Sequence, residues 1–181
     1  MLTELALPVP LDTRIGEVTL RRARIEDTAA IVALLADDAI SAARGDTASD
    51  DDLPAYAAGL ESVLADGSND LLVAEHGGRI VGTFQLTRIP GMSRRGSTRL
   101  LVEAVRVSSD LRSSGVGSAL MRWIMDVATA DLGSPLVQLT SDAQRVEAHR
   151  FYERLGFAGS HRGFKYNAPS SGSEAPATTG R

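Results

Sequence analysis

The stretch "RSSGVGSALMRW", residues 112–123, joins a glycine-containing turn to a run with helical periodicity. Apolar residues recur at helical spacing from Val116 to Ala128, which predicts an amphipathic helix that begins near Ser114–Val116. The first N–H groups of a helix have no partner within it, and the helix dipole makes that end positive, so this turn suits an anion such as a phosphate. Two glycines, Gly115 and Gly117, would let the backbone approach a bulky diphosphate closely.

The two glycines alone leave several alternatives open. A G-x-G sequence also fits a capped turn that binds nothing. A Walker loop needs a lysine after its last glycine, and Ser118 follows Gly117 here. A dinucleotide-binding fingerprint needs a third glycine at the position of Leu120. These departures disfavour a nucleotide-phosphate enzyme.

The composition excludes several classes of protein. The 181 residues suit one domain, and 43% of them are apolar, which is enough for a core. There is no cysteine, which excludes disulfides, thiolate metal sites and cysteine nucleophiles, and no metal is expected. The net charge of −4 argues against nucleic acid as the main partner. The N-terminus lacks a basic segment and no apolar stretch could span a membrane, so a cytoplasmic protein is expected.

The order of predicted elements indicates an α/β (α+β) fold in one domain, residues 16–166. A central, mostly antiparallel mixed sheet of six to seven strands is expected, flanked by about four helices. Gly77 and Gly78 predict a two-residue hairpin, and residues 157–166 predict two short strands or a hairpin. Residues 1–15 would form an N-terminal extension. The Ser/Pro/Gly-rich residues 167–181 would be a disordered tail.

Two motifs in this sequence resemble those of the GCN5-related N-acetyltransferase (GNAT) superfamily. Val107 ends a predicted strand five residues before Arg112, and Arg112, Gly115 and Gly117 match the family's [Q/R]-x-x-G-x-[G/A] loop at the start of a helix. Residues 148–157, "AHRFYERLGF", are similar to a second family segment, A-x-x-[FL]-Y-x-x-x-G-F. The predicted elements from about residue 17 to 166 also follow the family's order.

The resemblance implies that acetyl-CoA lies in a V-shaped opening between two parallel strands that splay apart, here residues 100–107 and 136–140. The pantetheine arm would pair with the backbone of Val105, Arg106 and Val107. Arg112 would shape the loop and add positive charge. The diphosphate would accept hydrogen bonds from six consecutive backbone N–H groups, those of Ser113, Ser114, Gly115, Val116, Gly117 and Ser118.

Two further residues are the catalytic candidates. Tyr152 matches the family tyrosine that often protonates the departing thiolate. Glu103 lies in an apolar strand, and strand alternation predicts that Glu103, Val105 and Val107 share one face. Many family members carry a glutamate on this strand that accepts a proton from the amine. A glutamate that only orients the substrate or forms a salt bridge fits the same position.

The resemblance implies an N-acetyltransferase that uses acetyl-CoA as co-substrate and transfers the acetyl group directly to a primary amine in a ternary complex. The absence of cysteine agrees with direct transfer. A non-catalytic acyl-CoA-binding or regulatory module on the same fold is the alternative. Dimers are common in the family, so a homodimer stays open.

The acceptor is less constrained by the sequence. Aspartates are concentrated in residues 37–52, the region that usually covers the acceptor in this family. Their charge would attract a cationic amine, which favours a small basic acceptor. A peptide amine, an amino acid or an aminoglycoside-like molecule would also fit.

Overall fold

The computed structural model describes residues 1–43 and 45–168, and the chain divides into two compact units, Met1–Thr140 and Ser141–Arg181. The first unit contains one six-stranded sheet in which strands adjacent in sequence are adjacent in space. Its strands are β1 (Val9–Thr13), β2 (Gly16–Arg22), β3 (Asn69–His76), β4 (Arg79–Ile89), β5 (Arg99–Val107) and β6 (Val137–Leu139). The pairs from β1 to β5 are antiparallel, and β5 and β6 are parallel. The predicted mixed sheet is therefore confirmed, with six strands.

The helices fall between the strands of this sheet and after its last strand. They are α1 (Thr28–Ala36), α2 (Ala39–Ala42), α3 (Leu53–Ala65), the four-residue turn α4 (Ser93–Gly96), α5 (Val116–Trp123), α6 (Thr129–Asp131) and α7 (Val146–Arg154). A π-helical segment, Ile124–Ala128, connects α5 to α6. None of the helices in the described residues is long and apolar enough to cross a membrane.

The turns and edges of the sheet follow from local sequence. Gly77 and Gly78 have φ values of 57° and 75° and connect β3 to β4, which confirms the predicted hairpin. The strand β1 was not predicted, and it extends the sheet into the expected N-terminal extension. Pro10 is tolerated there because β1 is an edge strand, where a missing N–H donor leaves no gap in the ladder.

The two faces of the sheet carry different helices. On one face, called the α5 face, Phe84 packs near Trp123 of α5 with ring centroids 6.4 Å apart. On the other, the α1–α3 face, Val73 of β3 forms a buried cluster with Ile31 of α1 and Leu60 of α3. Fully burying a side chain of this size contributes about 1.5–3 kcal/mol, so both faces stabilise the sheet.

The start of α1 is tied to the sheet by charged side chains. Arg21 of β2 forms a bidentate ion pair with Asp27 at 2.7 and 2.9 Å and donates from Nε to Glu75 of β3 at 2.9 Å. These hydrogen bonds from Arg21 are the main reason that the pKa of Asp27 is lowered. The ion pair between Arg21 and Asp27 holds in place the short segment that connects β2 to α1.

The β4–β5 ladder contains a bulge. Gln85 pairs with Glu103 and Thr83 pairs with Arg106, so Phe84 faces two residues of β5, Ala104 and Val105. Ala104 has φ of 50°, which lies in the left-handed region. A bulge of this kind bends the strand and shifts the alternation of side chains beyond it.

The second unit contains α7, which is followed after Leu155 by Gly156 with φ of 95°, as the predicted helix stop requires. Residues 157–168 contain no strand, so the prediction of two short strands or a hairpin there is wrong. Phe164 and Tyr166 are 88% and 86% exposed, and residues 158–163 are all exposed and contain no large apolar side chain, so this segment buries too little apolar surface to form strands. Most of the predicted disordered tail, residues 169–181, lies outside the described residues.

Candidate functional site

The paired strands β5 and β6 separate partway along their length. Their parallel register runs from Leu100 opposite Val137 to Val102 opposite Leu139, where β6 ends. The bulge follows at once, so residues 103–107 of β5 have no β6 partner in the described part of the chain. One edge of β5 therefore offers backbone N–H and C=O groups to a ligand.

The bulge corrects the predicted faces of the β5 side chains. Glu103 lies opposite Gln85 and Arg106 lies opposite Thr83, so both are on the α1–α3 face. Val107 lies opposite Gly82, and a Cβ built on Gly82 would lie 3.4 Å from the side chain of Leu120 in α5, so Val107 is on the α5 face. The prediction that Glu103 and Val107 share a face is wrong, because simple alternation fails where two residues oppose one.

Glu103 is exposed, whereas Val105, Arg106 and Val107 are half-buried. The Arg106 guanidinium donates to the backbone carbonyl of Val105 at 2.8 Å and to the Ser41 hydroxyl of α2. This contact holds α2 against the strand that carries Glu103. The open end of β5 is thus bordered on the α1–α3 face by α2.

The loop after β5 has the backbone geometry of an anion site. It contains a 3₁₀ turn, Ser109–Leu111, and then Ser113 and Gly115 with φ of 64° and 94°. Gly115 caps α5, and no side chain bonds to the N–H groups at this helix end. The predicted helix start is therefore confirmed, and the first N–H groups of α5 have no partner within the helix.

A buried hydroxyl supports the fit of a phosphate to this loop. The Ser114 Oγ is buried and has no hydrogen-bond partner among the described residues. A buried polar atom without a partner costs about 1–3 kcal/mol, a cost that a bound acceptor oxygen would remove. The loop therefore combines unpaired backbone donors with an unpaired side-chain donor.

The loop is held from outside by Arg14, in the turn between β1 and β2. The Arg14 backbone N–H donates to the carbonyl of Ser114, and its guanidinium donates to the carbonyl of Ser113, both at 3.0 Å. These two hydrogen bonds from Arg14 hold the loop in its observed conformation. Sequence reasoning missed Arg14, because it lies 99 residues from Ser113 and belongs to no motif.

Asp37, at the end of α1, holds the same loop from another direction. Its carboxylate accepts from the backbone N–H of Ser109 at 2.7 Å, and its carbonyl accepts from the Arg112 guanidinium at 3.2 Å. Arg112 is exposed, and its hydrogen bond to the Asp37 carbonyl links the loop to the end of α1. Sequence reasoning noted Asp37 only as part of an acidic region and gave it no such role.

Asp110 adds a fixed negative charge near the start of this loop. The Ser108 hydroxyl and Arg79, at 2.8 Å, both donate to its carboxylate. These hydrogen bonds, that from Ser108 first, lower the pKa of Asp110. The pair with Arg79 offsets the charge that Asp110 would otherwise present to an anion.

Tyr152 lies on α7, in the second unit. Its ring contacts Phe151 at a centroid distance of 5.2 Å and Phe157 at 5.8 Å. His149, on the same helix, bonds through Nε2 to the carbonyl of Asp142 at 2.8 Å. The motif residues 148–157 therefore form one helix and its C-terminal turn, with an aromatic cluster around Tyr152.

The described residues contain no group of three His, Asp or Glu side chains that could hold a metal ion. The donors of the site are backbone N–H groups, hydroxyls and arginines. Such donors suit an anionic ligand rather than a cation.

Comparison with known proteins identifies the family. The model of the acetyltransferase (GNAT) family matches residues 30–157. The chain therefore belongs to this family, which confirms the resemblance of the two motifs and the predicted class of enzyme, an N-acetyltransferase. The family uses acetyl-CoA as the acetyl donor.

Three proteins with known functions or structures are similar to this chain. An aminoalkylphosphonate N-acetyltransferase from Salmonella typhimurium is 28% identical over 142 residues, 78% of this chain and 86% of that protein. A structure described as a transcriptional regulator from Bacillus halodurans is 38% identical, with a TM-score of 0.78 over 83% of this chain and 99% of that one. A predicted acetyltransferase from Clostridium acetobutylicum, solved with acetyl-CoA, shares the fold at 14% identity, with a TM-score of 0.63 over 83% of this chain and 96% of that one.

We predict that Gly115→Ala weakens the binding of coenzyme A about tenfold, measured by titration calorimetry. An alanine at φ of 94° costs about 1–2 kcal/mol, which the loop can relieve only by moving its N–H groups. The space itself is adequate, because a Cβ on Gly115 would lie 3.5 Å from Arg14 atoms. Gly133→Ala is the matched control, since Gly133 also has a positive φ, of 57°, and open space around it. Equal coenzyme A affinity in the two variants would contradict the role of Gly115.

Proposed function

We propose that this protein transfers an acetyl group from acetyl-CoA directly to a primary amine of a small molecule or peptide, within a ternary complex. The observation that carries the proposal is the loop of residues 112–118. It joins the family's acetyl-CoA motif to a helix start with unpaired N–H groups and to the unpaired hydroxyl of Ser114. The chain's membership of the acetyltransferase family supports the reaction class.

The donor would bind along two neighbouring parts of the structure. The open edge of β5 at Val105, Arg106 and Val107 supplies backbone groups for the pantetheine arm. The N–H groups of Ser113 and of residues 115–118 supply donors for the diphosphate, and Arg112 adds positive charge to the loop. The Ser114 N–H already donates to the Leu111 carbonyl at 3.2 Å, so Ser114 would contribute its unpaired hydroxyl instead. Arg14 would act as a positioning residue for this loop.

The reaction needs three proton movements. An ammonium ion is not a nucleophile, so a base must take a proton from the amine, and we assign this role to Glu103. The amine nitrogen then bonds to the thioester carbon and loses a second proton, which balances the proton that the thiolate gains, and the C–S bond breaks. We assign Tyr152 as the acid that protonates the departing thiolate, a proton transfer that makes the thiol a better leaving group.

Two facts support these assignments. Glu103 is an exposed carboxylate on the open half of β5, next to the bulge, where a substrate can reach it. Tyr152 occupies the tyrosine position of the family's second motif. Because the chain contains no cysteine, an acetyl-cysteine intermediate is excluded, which favours direct transfer.

The relatives point to an amine but not to one acceptor. The name of the Salmonella relative specifies an acceptor with an amine and a phosphonate, and we extend only the amine to this chain. The name of the Bacillus relative describes a regulator instead, which favours a non-catalytic acyl-CoA-binding module as the second candidate. The two candidates differ in whether an acceptor causes release of the thiol.

The function is tested by mixing the protein with acetyl-CoA and a panel of primary amines while free coenzyme A thiol is measured. Acceptor-dependent thiol release, with an acetylated amine found by mass spectrometry, is the expected outcome. Binding of acetyl-CoA without any acceptor-dependent thiol would favour the regulatory module. No binding of acetyl-CoA would overturn both candidates.

We expect Tyr152→Phe to lower kcat by about 100-fold with little change in the KM for acetyl-CoA, because general acid catalysis contributes about 10²–10⁴-fold. Steady-state thiol release with a saturating amine measures this change. Tyr166→Phe is the control, since Tyr166 is 86% exposed and lies outside the motif. A kcat for Tyr152→Phe that matches the control would remove Tyr152 from the acid role.

We expect Glu103→Gln to lower kcat/KM most at pH values below the pKa of the amine, where the acceptor must lose a proton before it reacts. The loss should shrink as the pH rises above that pKa, because the amine is then already neutral. Glu17→Gln, a change of an exposed glutamate on β2, is the control. A loss that is the same at every pH would show that Glu103 has only an orienting role.

A further inference from the structure

Positive charge is concentrated in one segment of this acidic protein. Between Glu75 and Glu103 the sequence contains five arginines and neither aspartate nor glutamate, although the whole chain has a net charge of −4. Three of these arginines, Arg94, Arg95 and Arg99, lie in or next to the loop that joins β4 to β5. None of the three forms an ion pair with any residue in the described ranges.

The β4–β5 loop is a closely packed structure. A Cβ built on Gly91 would lie only 2.6 Å from the carbonyl oxygen of Ser97, so the two ends of the loop touch and only glycine fits there. The Gly96 N–H donates to the carbonyl of Met92 at 3.2 Å. At its far end, the Thr98 hydroxyl bonds to the buried Ser134 hydroxyl at 2.8 Å, which ties the loop to the turn before β6.

The tip of this loop has an unusual backbone. Arg94 and Arg95 have φ values of 53° and 62°, in the left-handed region that residues with a Cβ rarely adopt. Residues with this conformation are strained, and the packing of the loop must offset the strain. Strained residues are concentrated at ligand sites, so Arg94 and Arg95 are candidates for contact with a ligand.

One of the two arginines borders a depression in the surface. Its lining includes Ser93 and Arg94 of the β4–β5 loop, Arg99 of β5 and Gln138 of β6. Arg95 is exposed but does not line it. Two guanidinium groups, a hydroxyl and an amide make the depression rich in hydrogen-bond donors, as a carboxylate, phosphonate or phosphate requires.

The depression lies on the same sheet face as Glu103. Arg99, Leu101 and Glu103 alternate along β5 before the bulge, so their side chains point to one face, and Gln138 is in register with Leu101. Arg99 and Glu103 are four residues apart, which corresponds to about 13 Å along the strand. The long side chain of arginine shortens the distance that a ligand must span.

We propose that this depression, lined by Arg94 and Arg99, binds an anionic group of the acceptor while the acceptor's amine lies at Glu103. The acceptor is then a zwitterion, with a primary amine at one end and a carboxylate, phosphonate or phosphate at the other. This inference rests on the proposed function, because it assigns the substrate class of the same site. It makes Arg94 and Arg99 residues that determine acceptor specificity.

The test compares acceptors that differ only in charge. Amino acids with a terminal amine and increasing chain length are assayed beside their amides, and aminoalkylphosphonates are assayed beside their diesters. Thiol release should show a kcat/KM at least about tenfold higher for the anionic member of a pair, since hydrogen bonds between charged groups are the strong ones. The carboxylate and phosphonate series then show which anion the subsite prefers.

Two neighbouring arginines provide the matched variants. Arg94→Gln should raise the KM for the preferred anionic acceptor about ten- to hundredfold, while kcat and the KM for its neutral analogue stay within about twofold. Arg95→Gln removes the same charge from the same left-handed backbone without touching the depression, so it should leave all these values near wild type. Because both substitutions have the same effect on backbone strain, a merely structural role would affect both variants alike.

The outcomes separate this inference from the proposed function. Amine-dependent thiol release with no preference for anionic acceptors would overturn the subsite and leave the acetyltransferase intact. Equal KM increases in Arg94→Gln and Arg95→Gln would also overturn it, because they would reflect net charge alone. Absence of thiol release with every acceptor would overturn the proposed function itself.

Discussion

The bulge at Ala104 is the constraint on which the rest of the site depends. Two residues of β5 oppose one of β4, and Ala104 takes a left-handed conformation that costs about 1–2 kcal/mol. The parallel pairing with β6 ends just before this point, at Val102. The bulge therefore lies where the backbone edge of β5 becomes free, and it separates the face of Glu103 from that of Val107.

The loop after β5 is shaped by contacts from distant parts of the chain. Arg14, in the β1–β2 turn, donates hydrogen bonds to carbonyl oxygens of the loop. Asp37, at the end of α1, accepts hydrogen bonds from the N–H of Ser109 and from the Arg112 guanidinium. These bonds leave the N–H groups at the start of α5 without a side-chain cap. A preorganised set of donors binds an anion without first paying to reorder the loop, which is why elements far from the motif matter to it.

The local features of the sequence predicted much of this fold. Gly77–Gly78 predicted a hairpin because both positions need a positive φ. The apolar periodicity from Val116 onward predicted the start of α5. The bulge was not predictable, since Ala104 has no side-chain feature that favours a left-handed conformation. Arg14 was missed because tertiary contact, not sequence spacing, brings it to the loop. The roles of Glu103 and Tyr152 came from the family motifs and stay predictions.

The distribution of charge along the chain constrains the acceptor more strongly than the net charge does. Two of the aspartates before α3 form local hydrogen bonds, since Asp46 accepts from Tyr56 and Asp52 accepts from Thr47. Arg99, where β5 begins, lies about 13 Å from Glu103 by strand spacing, beyond the Debye length of about 8 Å. At that separation the two charges act nearly independently, so Glu103 and the arginine-lined depression can each contact a different end of one ligand. The proposed zwitterionic acceptor, with an amine at one end and an oxyanion at the other, matches this separation of charge.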